Sequence, residues 1–462
     1  NATGSSNGVF YGVITGVARP FREAGIQAND PPPAGGGTIP PLPRFDANPE
    51  RIRVDSDAQP GATQLNVSSG ALVTNLVGPL DYGFRAYSIL PDAATTPTVT
   101  GGTTARAVST SGTREFTVAG YNLQRFFDTV NDPGIGEPVL TTTAFNNRLN
   151  KASLGIRDFL KTPDILGVVE VENLSTLQSL ANKINSDAVA NSQPNPNYIA
   201  FLVEGNDVGG IDVGFLIKSS VVSGSTPRVT VNSVTQEGLS TLFTNPDNST
   251  ELLNDRPPLR LDAVVNDASG ATFPITVIVV HQRSLNGIDD AGAGQNGWTT
   301  AGARVRAKRQ AQAVFLANLI QTRQTNNPSE RIVVLGDFNA FEVNDGFGDI
   351  MGTVQGTPAP DNQTVVPGDG TVLVTPSLTN LLSTETLLER YSYTFDGNAQ
   401  TLDHAIANQA LLNAAVAYRL EHPRINADFP ETARTDSTTA TRLSDHDPLV
   451  IFITMAAPPD LT

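Results

Sequence analysis

The run Ile332-Val333-Val334-Leu335 leads straight into Gly336-Asp337-Phe338-Asn339-Ala340. No other stretch constrains the fold as much. Four consecutive apolar residues with no polar alternation read as a strand covered on both faces, which demands a layer packed on each side. The glycine ends the run and leaves an acid and an amide where the strand leaves the core. In extended backbone Asp337 and Asn339, two apart, point to one side. A carboxylate and a carboxamide so placed can orient a water molecule and hold a phosphate oxygen. The same letters also suit a plain strand-ending turn, where Gly, Asp and Asn are common.

Recurrence decides between the two readings. Tyr121 gives way to Asn122, Val169 to Glu170 and Val280 to His281. Leu402-Asp403-His404 sits in a strand-like segment, and Ser444-Asp445-His446-Asp447-Pro448 immediately precedes the apolar run 449–454. The chain has only four His; His281 and His446 fall at such ends, and His404 follows Asp403. Rare titratable residues placed where strands leave a core are what a cleft at a sheet edge needs.

From Arg114 onward strands alternate with helices. Residues 116–121, 165–169, 211–217, 273–280 and 449–454 read as strands. Leu149, Ala152, Ile156, Phe159 and Leu160 keep helical spacing up to Pro163. Leu177 to Ile184 and Ala311 to Leu319 mark two further helices. Helical and direct strand-to-strand links together predict an α/β (α+β) domain with mixed sheets over 114–462. Residues 1–113 are β-rich and helix-poor, and predict a small barrel or sandwich. The stretch from Asp30 to Pro43 reads as an extended surface loop, and residues 93–113 as the boundary linker. The Gly-, Asp- and Asn-rich segment 286–300 reads as a mobile loop with a rim role. The basic run Arg304–Arg309 reads as a solvated helix face.

The 462 residues allow two domains and a large core. With 39% apolar and 16% charged residues the chain is neither a coiled coil nor disordered. A net charge of −16 excludes non-specific coating of nucleic acid, but not an enzyme that meets phosphates in one metal-lined cleft. Without cysteine there is no disulfide and no thiolate metal site. The longest apolar runs are too short to span a bilayer. Low Lys and abundant Thr and Asn, with no leader at the start, point to a secreted mature form.

In order, the chain carries Tyr121-Asn122-Leu123-Gln124-Arg125-Phe126-Phe127-Asp128, Gly167-Val168-Val169-Glu170-Val171-Glu172-Asn173 and Gly210-Ile211-Asp212-Val213. Arg256-Pro257-Pro258-Leu259, Val280-His281-Gln282-Arg283-Ser284, Gly336-Asp337-Phe338-Asn339-Ala340, Leu402-Asp403-His404 and Ser444-Asp445-His446-Asp447-Pro448 follow. With this ordered set, residues 114–455 resemble the endonuclease/exonuclease/phosphatase superfamily, which includes deoxyribonuclease I, and most closely its bacterial secreted nuclease-like members. Residues 1–113 lie outside that resemblance and look like an N-terminal β domain, OB-like in character. The resemblance implies a four-layer sandwich of two packed mixed β-sheets flanked by helices, with metal-dependent phosphoester cleavage at one edge. It implies Asn122, Glu170 and Asp445 as metal ligands. It assigns water activation to Asp337 and Asn339, and places His281 and His446 against the scissile phosphate with Asp403 orienting His446. Arg256 and Ser284 take the places of phosphate contacts. The pattern departs from the family at Val280-His281-Gln282-Arg283-Ser284 and at Phe341-Glu342-Val343-Asn344-Asp345. The second departure bears on the substrate rim.

The residue chemistry runs the same way. Carboxylate and amide oxygens suit Mg²⁺, with Mn²⁺ or Ca²⁺ as alternatives. A His paired with a carboxylate can pass a proton near pH 7. The two imidazoles lack zinc-motif spacing. The expected activity is therefore a Mg²⁺-dependent phosphodiesterase acting on DNA or RNA. A smaller phosphoester substrate and a non-enzymatic scaffold that self-associates through the N-terminal domain are the rivals. Glu172 reads as a salt-bridge partner, His404 as structural and His422 as surface.

Overall fold

The computed structural model describes residues 8–27, 42–83, 86–366 and 370–458. The expected Asp30–Pro43 loop lies outside them except for its last two residues.

Two six-stranded mixed sheets form the larger body. The first runs Tyr198–Leu202, Asp212–Lys218, Ile165–Val171, Glu115–Phe126, Leu449–Thr454, Ala417–Glu421. The second runs Val229–Gln236, Leu259–Asn266, Thr272–His281, Ile332–Asp337, Asp403–Ala407, Thr379–Asn380. Each has one parallel pair at its centre. Ile165–Val171 lies parallel to Glu115–Phe126, and Thr272–His281 parallel to Ile332–Asp337. The chain is thus of the α+β class.

The strand Ile332–Asp337 explains why its sequence is apolar throughout. Val333 and Leu335 face the core between the sheets, with Val277, Val279, Phe215 and Val118. Ile332 and Val334 face the opposite way, against Leu316 and Ile320 of the helix Ala301–Asn326. The helices Thr142–Leu154 and Leu174–Ala190 cover the outer face of the first sheet. The layers are therefore helix, sheet, sheet, helix. Each fully buried Val, Ile or Leu in them contributes about 1.5–3 kcal/mol. Near the site the sheets approach closely. A Cβ on Gly167 would stand 2.9 Å from Leu335 Cδ1 and 3.1 Å from Val279 Cγ2.

Each of these three helices is started by a side chain that accepts a backbone N–H of its first turn: Thr141, Asn173 and Thr300. The first continues as a π turn, Gly155–Phe159, so it stops before the expected Pro163.

The N-terminal part forms a four-stranded sheet in the order Val9–Gly12, Ile52–Asp55, Ala86–Ile89, Leu80–Gly83. Ala71–Thr74 pairs separately with Thr98–Gly101, so among the described residues the strands do not close into one barrel. That second pair also corrects the linker. Residues 98–101 are strand, and the chain beyond them is tied to the larger body. Arg106 N donates to Arg424 O at 3.0 Å and Val108 N to Phe159 O at 3.0 Å.

The basic helix run needs correction too. Arg306, Lys308 and Arg309 are buried. Lys308 Nζ donates to Asp255 Oδ1 at 2.9 Å, and Arg309 Nη2 to the carbonyl of Asn339 at 2.8 Å. Buried cations need such partners, and charge counting along the helix does not reveal them. The 286–300 loop is anchored at Trp298, which stacks on Phe243 at 6.0 Å and donates Nε1–H to Asn245 at 2.8 Å.

Candidate active site

Both parallel pairs end on the same side, and their ends build the site. On the first sheet Asn122 is level with Val169. The register then slips at Glu170, which sits at φ 61°. A β-bulge with a left-handed non-glycine residue re-aims a side chain at some conformational cost. Here it turns the carboxylate out of the sheet. On the second sheet His281 pairs with Asp337, and Asp337 with Asp403. Gly336 makes that junction at φ 129°, where a Cβ would meet Val280 O at 2.2 Å. No other residue fits there.

These ends line one cavity of about 690 Å³ that takes in Glu170, Arg256, His281, Ser284, Asp337, Asn339, Asp445 and His446. Asn122 and Asp403 stand behind it, buried. All ten nominated residues therefore meet. Asn122 Nδ2 donates to Glu170 Oε1 at 3.0 Å and to Asp337 Oδ2 at 3.1 Å, and its Oδ1 accepts from Gln124 N. His281 Nε2 lies 3.7 Å from Asp337 Oδ2 and 3.9 Å from Glu170 Oε1. His446 Nδ1 lies 2.6 Å from Asp403 Oδ2, and its Nε2 stands 4.0 Å from both Asp337 Oδ2 and Asp445 Oδ1.

Asn339 differs from the extended geometry expected of it. It sits at φ 49°, its N–H turns back to Asp337 Oδ1 at 2.7 Å, and its Nδ2 donates to the carbonyl of Gln282 at 3.0 Å. An Asx-type turn won over strand continuation. Arg256 reaches the cavity with its guanidinium held by Asp207 Oδ2 at 2.8 Å and by the carbonyl of Gln282 at 3.1 Å.

The two imidazoles are driven apart. Burial, then the charges of Arg256 and His446, push the His281 pKa well below the usual value. Burial also acts against charge on His446, but Asp403 and Asp337 outweigh it and raise its pKa well above the usual value. Asp337 is pushed up to about 7 by burial and by the nearby Asp403 and Glu170, with His446 opposing. At neutral pH the site holds an imidazolium, a neutral imidazole and a carboxyl poised to exchange a proton.

The carboxylates of Glu170 and Asp337 and the Nε2 face of His281 offer ligand atoms within 4.8 Å of one another. Asp337, Asp403 and His446 form a second such group. Oxygen-rich donors of like charge fit a hard divalent cation.

Several residues here were not nominated from sequence. Arg125 donates its backbone N–H to Glu170 Oε2 at 2.9 Å. Tyr393 lies with its ring 4.8 Å from that of His446. Asp447 accepts the backbone N–H groups of Ile425 and Asn426 at 2.9 and 2.7 Å, and so fixes the turn beneath His446. The second acid of Ser444-Asp445-His446-Asp447 was a signal for the last; nothing in the sequence marked Tyr393. Two other readings are corrected. Glu172 has no cationic partner among the described residues. Its Oε2 accepts from Asp128 N at 2.6 Å, and burial beside Asp128 pushes its pKa up to about 7. His422 is buried, 2.7 Å from Glu385 Oε2. His404 is fully buried between Asn380 and the carbonyl of Ala340.

Residues 6–101 match a family described as a domain of unknown function (DUF8508). No curated protein matches the chain. Solved structures of the superfamily that the motifs resemble are among those similar to it. An endonuclease/exonuclease/phosphatase from Bacteroides vulgatus is 14% identical, covering 74% of this chain and 99% of that one, with a TM-score of 0.40. The human Nocturnin catalytic domain with bound sulfate is 15% identical over 74% and 95%, with a TM-score of 0.41. Truncated Caenorhabditis elegans TDP2 is 11% identical over 74% and 98%, with a TM-score of 0.38.

Proposed function

We propose that this chain, whose motifs and sheet layout are those of an endonuclease/exonuclease/phosphatase protein, is a divalent-metal-dependent phosphodiester hydrolase acting on nucleic acid without sequence preference. The observation that carries this reading is the meeting of Asp403, His446, Asp337, His281 and Glu170 at one cavity. Glu170 and Asp445 would hold Mg²⁺; Asn122, whose carboxamide oxygen accepts from Gln124 N, orients Glu170 and Asp337 and does not offer that oxygen to the ion. The ion supplies charge neutralisation at the phosphate and the leaving oxygen.

The protein's own groups divide the remaining work. Asp403 keeps His446 protonated, so its Nε2–H can donate to a phosphate oxygen on which charge builds in the transition state. Neutral His281 donates to a second oxygen without adding charge. Asp337, with a pKa about 7, matches the proton affinity of a general base for water near neutrality. Its Oδ1 is fixed by the Asn339 amide.

The test is nicking of supercoiled plasmid with Mg²⁺. Chelator abolishes it, and Asp337→Asn or His281→Ala lowers it by about 10³-fold. Full activity in both variants sinks the assignment. The lining also suits a smaller phosphoester, which a substrate panel separates. Secretion of the chain and self-association through residues 1–113 belong to the same proposal; secretion into the medium and the size of the purified protein report on them.

A further inference from the structure

The catalytic cavity is not built by residues 114–462 alone. Arg22 and Gln27, from the N-terminal part, line it. The segment that carries them is laid across the site edge and held at both ends. Ala399 N donates to Pro20 O at 2.9 Å and Arg22 N to Ala399 O at 3.0 Å, beside a hairpin whose Tyr393 and Gln400 face the cavity. Arg19 pairs with buried Asp428 at 2.9 Å and covers the ring of Tyr391 at 4.1 Å. At the other end Gly25 N donates to Asn344 O at 2.7 Å. Ile26 and Leu42 form a small core with Phe347. Arg22 itself lies between two rings, 4.4 Å from Phe45 of the N-terminal part and 4.7 Å from Phe341 of the larger body. Its Nη2 donates to Gly25 O at 2.7 Å.

An exposed arginine loses rotamer entropy when it is ordered. One stacked on two rings and tied to a carbonyl has already lost it. Two of the anchors, Phe341 and Asn344, fall in the stretch 341–345 where the chain departs from the superfamily pattern after Gly336-Asp337-Phe338-Asn339-Ala340. That departure accompanies the docking of an added wall.

The geometry points to a backbone subsite: Arg22, presented by the N-terminal part, contacts a phosphate of a polynucleotide next to the one being cleaved, beyond the catalytic ligands. Three guanidinium groups, those of Arg22, Arg125 and Arg256, line the cavity among six carboxylates, and Arg22 is the one that the N-terminal part supplies. This inference rests on the nuclease reading, and the experiment keeps the two separable.

Binding of a fluorescent single-stranded oligonucleotide is measured by anisotropy in the full-length chain carrying Asp337→Asn, with and without Arg22→Ala, Arg22→Gln and Arg22→Lys. The expected result is about tenfold weaker binding for Arg22→Ala and Arg22→Gln, with Arg22→Lys largely restored. The slope of log K against log salt should be shallower by about 0.7 to 1 in the two neutral variants. In the active background, KM for the oligonucleotide rises while kcat and the hydrolysis of bis(p-nitrophenyl) phosphate stay unchanged. Equal affinity and equal salt slope in all variants overturns the subsite and leaves the hydrolase reading standing. Loss of small-diester hydrolysis in Arg22→Lys and Arg22→Ala alike also overturns it, because the residue is then structural. A wild-type chain that cleaves neither substrate but still binds through Arg22 overturns the hydrolase reading alone.

Discussion

Six carboxylates and two imidazoles line the cavity, yet the residue that best exposes its energetics is the histidine set back from it. His404 is fully buried, hydrogen-bonded by Asn380 and against the carbonyl of Ala340. Burial drops its pKa from 6.5 to about 4, with the Ala340 carbonyl and Asp403 opposing. The unfolded chain therefore binds a proton that the folded chain refuses. The sign follows: nothing is lost above pH 6.5, and stability falls as the pH drops from 6.5 towards 4, by about 3 kcal/mol in all. Denaturant midpoints across that range should show the slope. His404→Gln should remove His404's share of it, and an unchanged slope in that variant would assign it elsewhere. At this scale the letters were informative about identity and poor about conformation. Asn122, Glu170, His281, Asp337 and His446 stood out because polar residues interrupted apolar runs at strand ends. The left-handed backbone of Glu170 and Asn339 was not visible, because neither is glycine and tertiary contacts impose it. Glu172 misled for a related reason: an acid beside a strand looks solvated until its neighbours are known.

Elements followed periodicity. The runs 165–169, 273–280 and 449–454 became Ile165–Val171, Thr272–His281 and Leu449–Thr454, because continuous apolar runs have only one comfortable place in a layered fold. Val229–Gln236, Leu259–Asn266 and Ala417–Glu421 had escaped notice. Val229–Gln236 and Ala417–Glu421 are edge strands with partly exposed faces and a diluted alternation, whereas Leu259–Asn266 alternates cleanly, with Leu259, Leu261 and Ala263 inward, and was legible. Two glycines set how closely the sheets and strands approach. Gly167→Ala pushes a methyl into Leu335 and Val279 and should cost about 1–3 kcal/mol as overpacking. Gly336→Ala meets the Val280 carbonyl at a φ that alanine avoids, and should cost at least about 2 kcal/mol. It should also lower activity more than Gly167→Ala, because it carries Asp337. Urea titration and plasmid nicking of the two variants compare them directly. Equal activity loss at equal stability would separate Gly336 from the site.

The whole molecule is held together by contacts that no single segment announces. Arg19 reaches Asp428, more than four hundred positions away, and the pair is largely buried. Arg19→Ala leaves Asp428 with Tyr391 Oη at 2.6 Å and the charge of Arg424, but without its direct ion pair. It should destabilise by about 3 kcal/mol and raise amide exchange in residues 19–27 selectively. Uniform exchange would mean that the segment is not held from this point. The sequence by itself determined the layered α+β core and the roster of polar strand ends, because burial and periodicity are local properties of a chain. Only the tertiary structure decided which nitrogen faces which carboxylate and that one imidazole is charged while the other is neutral. It alone laid residues 19–27 along the cavity as a wall. Those outcomes depend on distances across the fold and on the low-dielectric surroundings that packing creates, and neither is written in the order of residues.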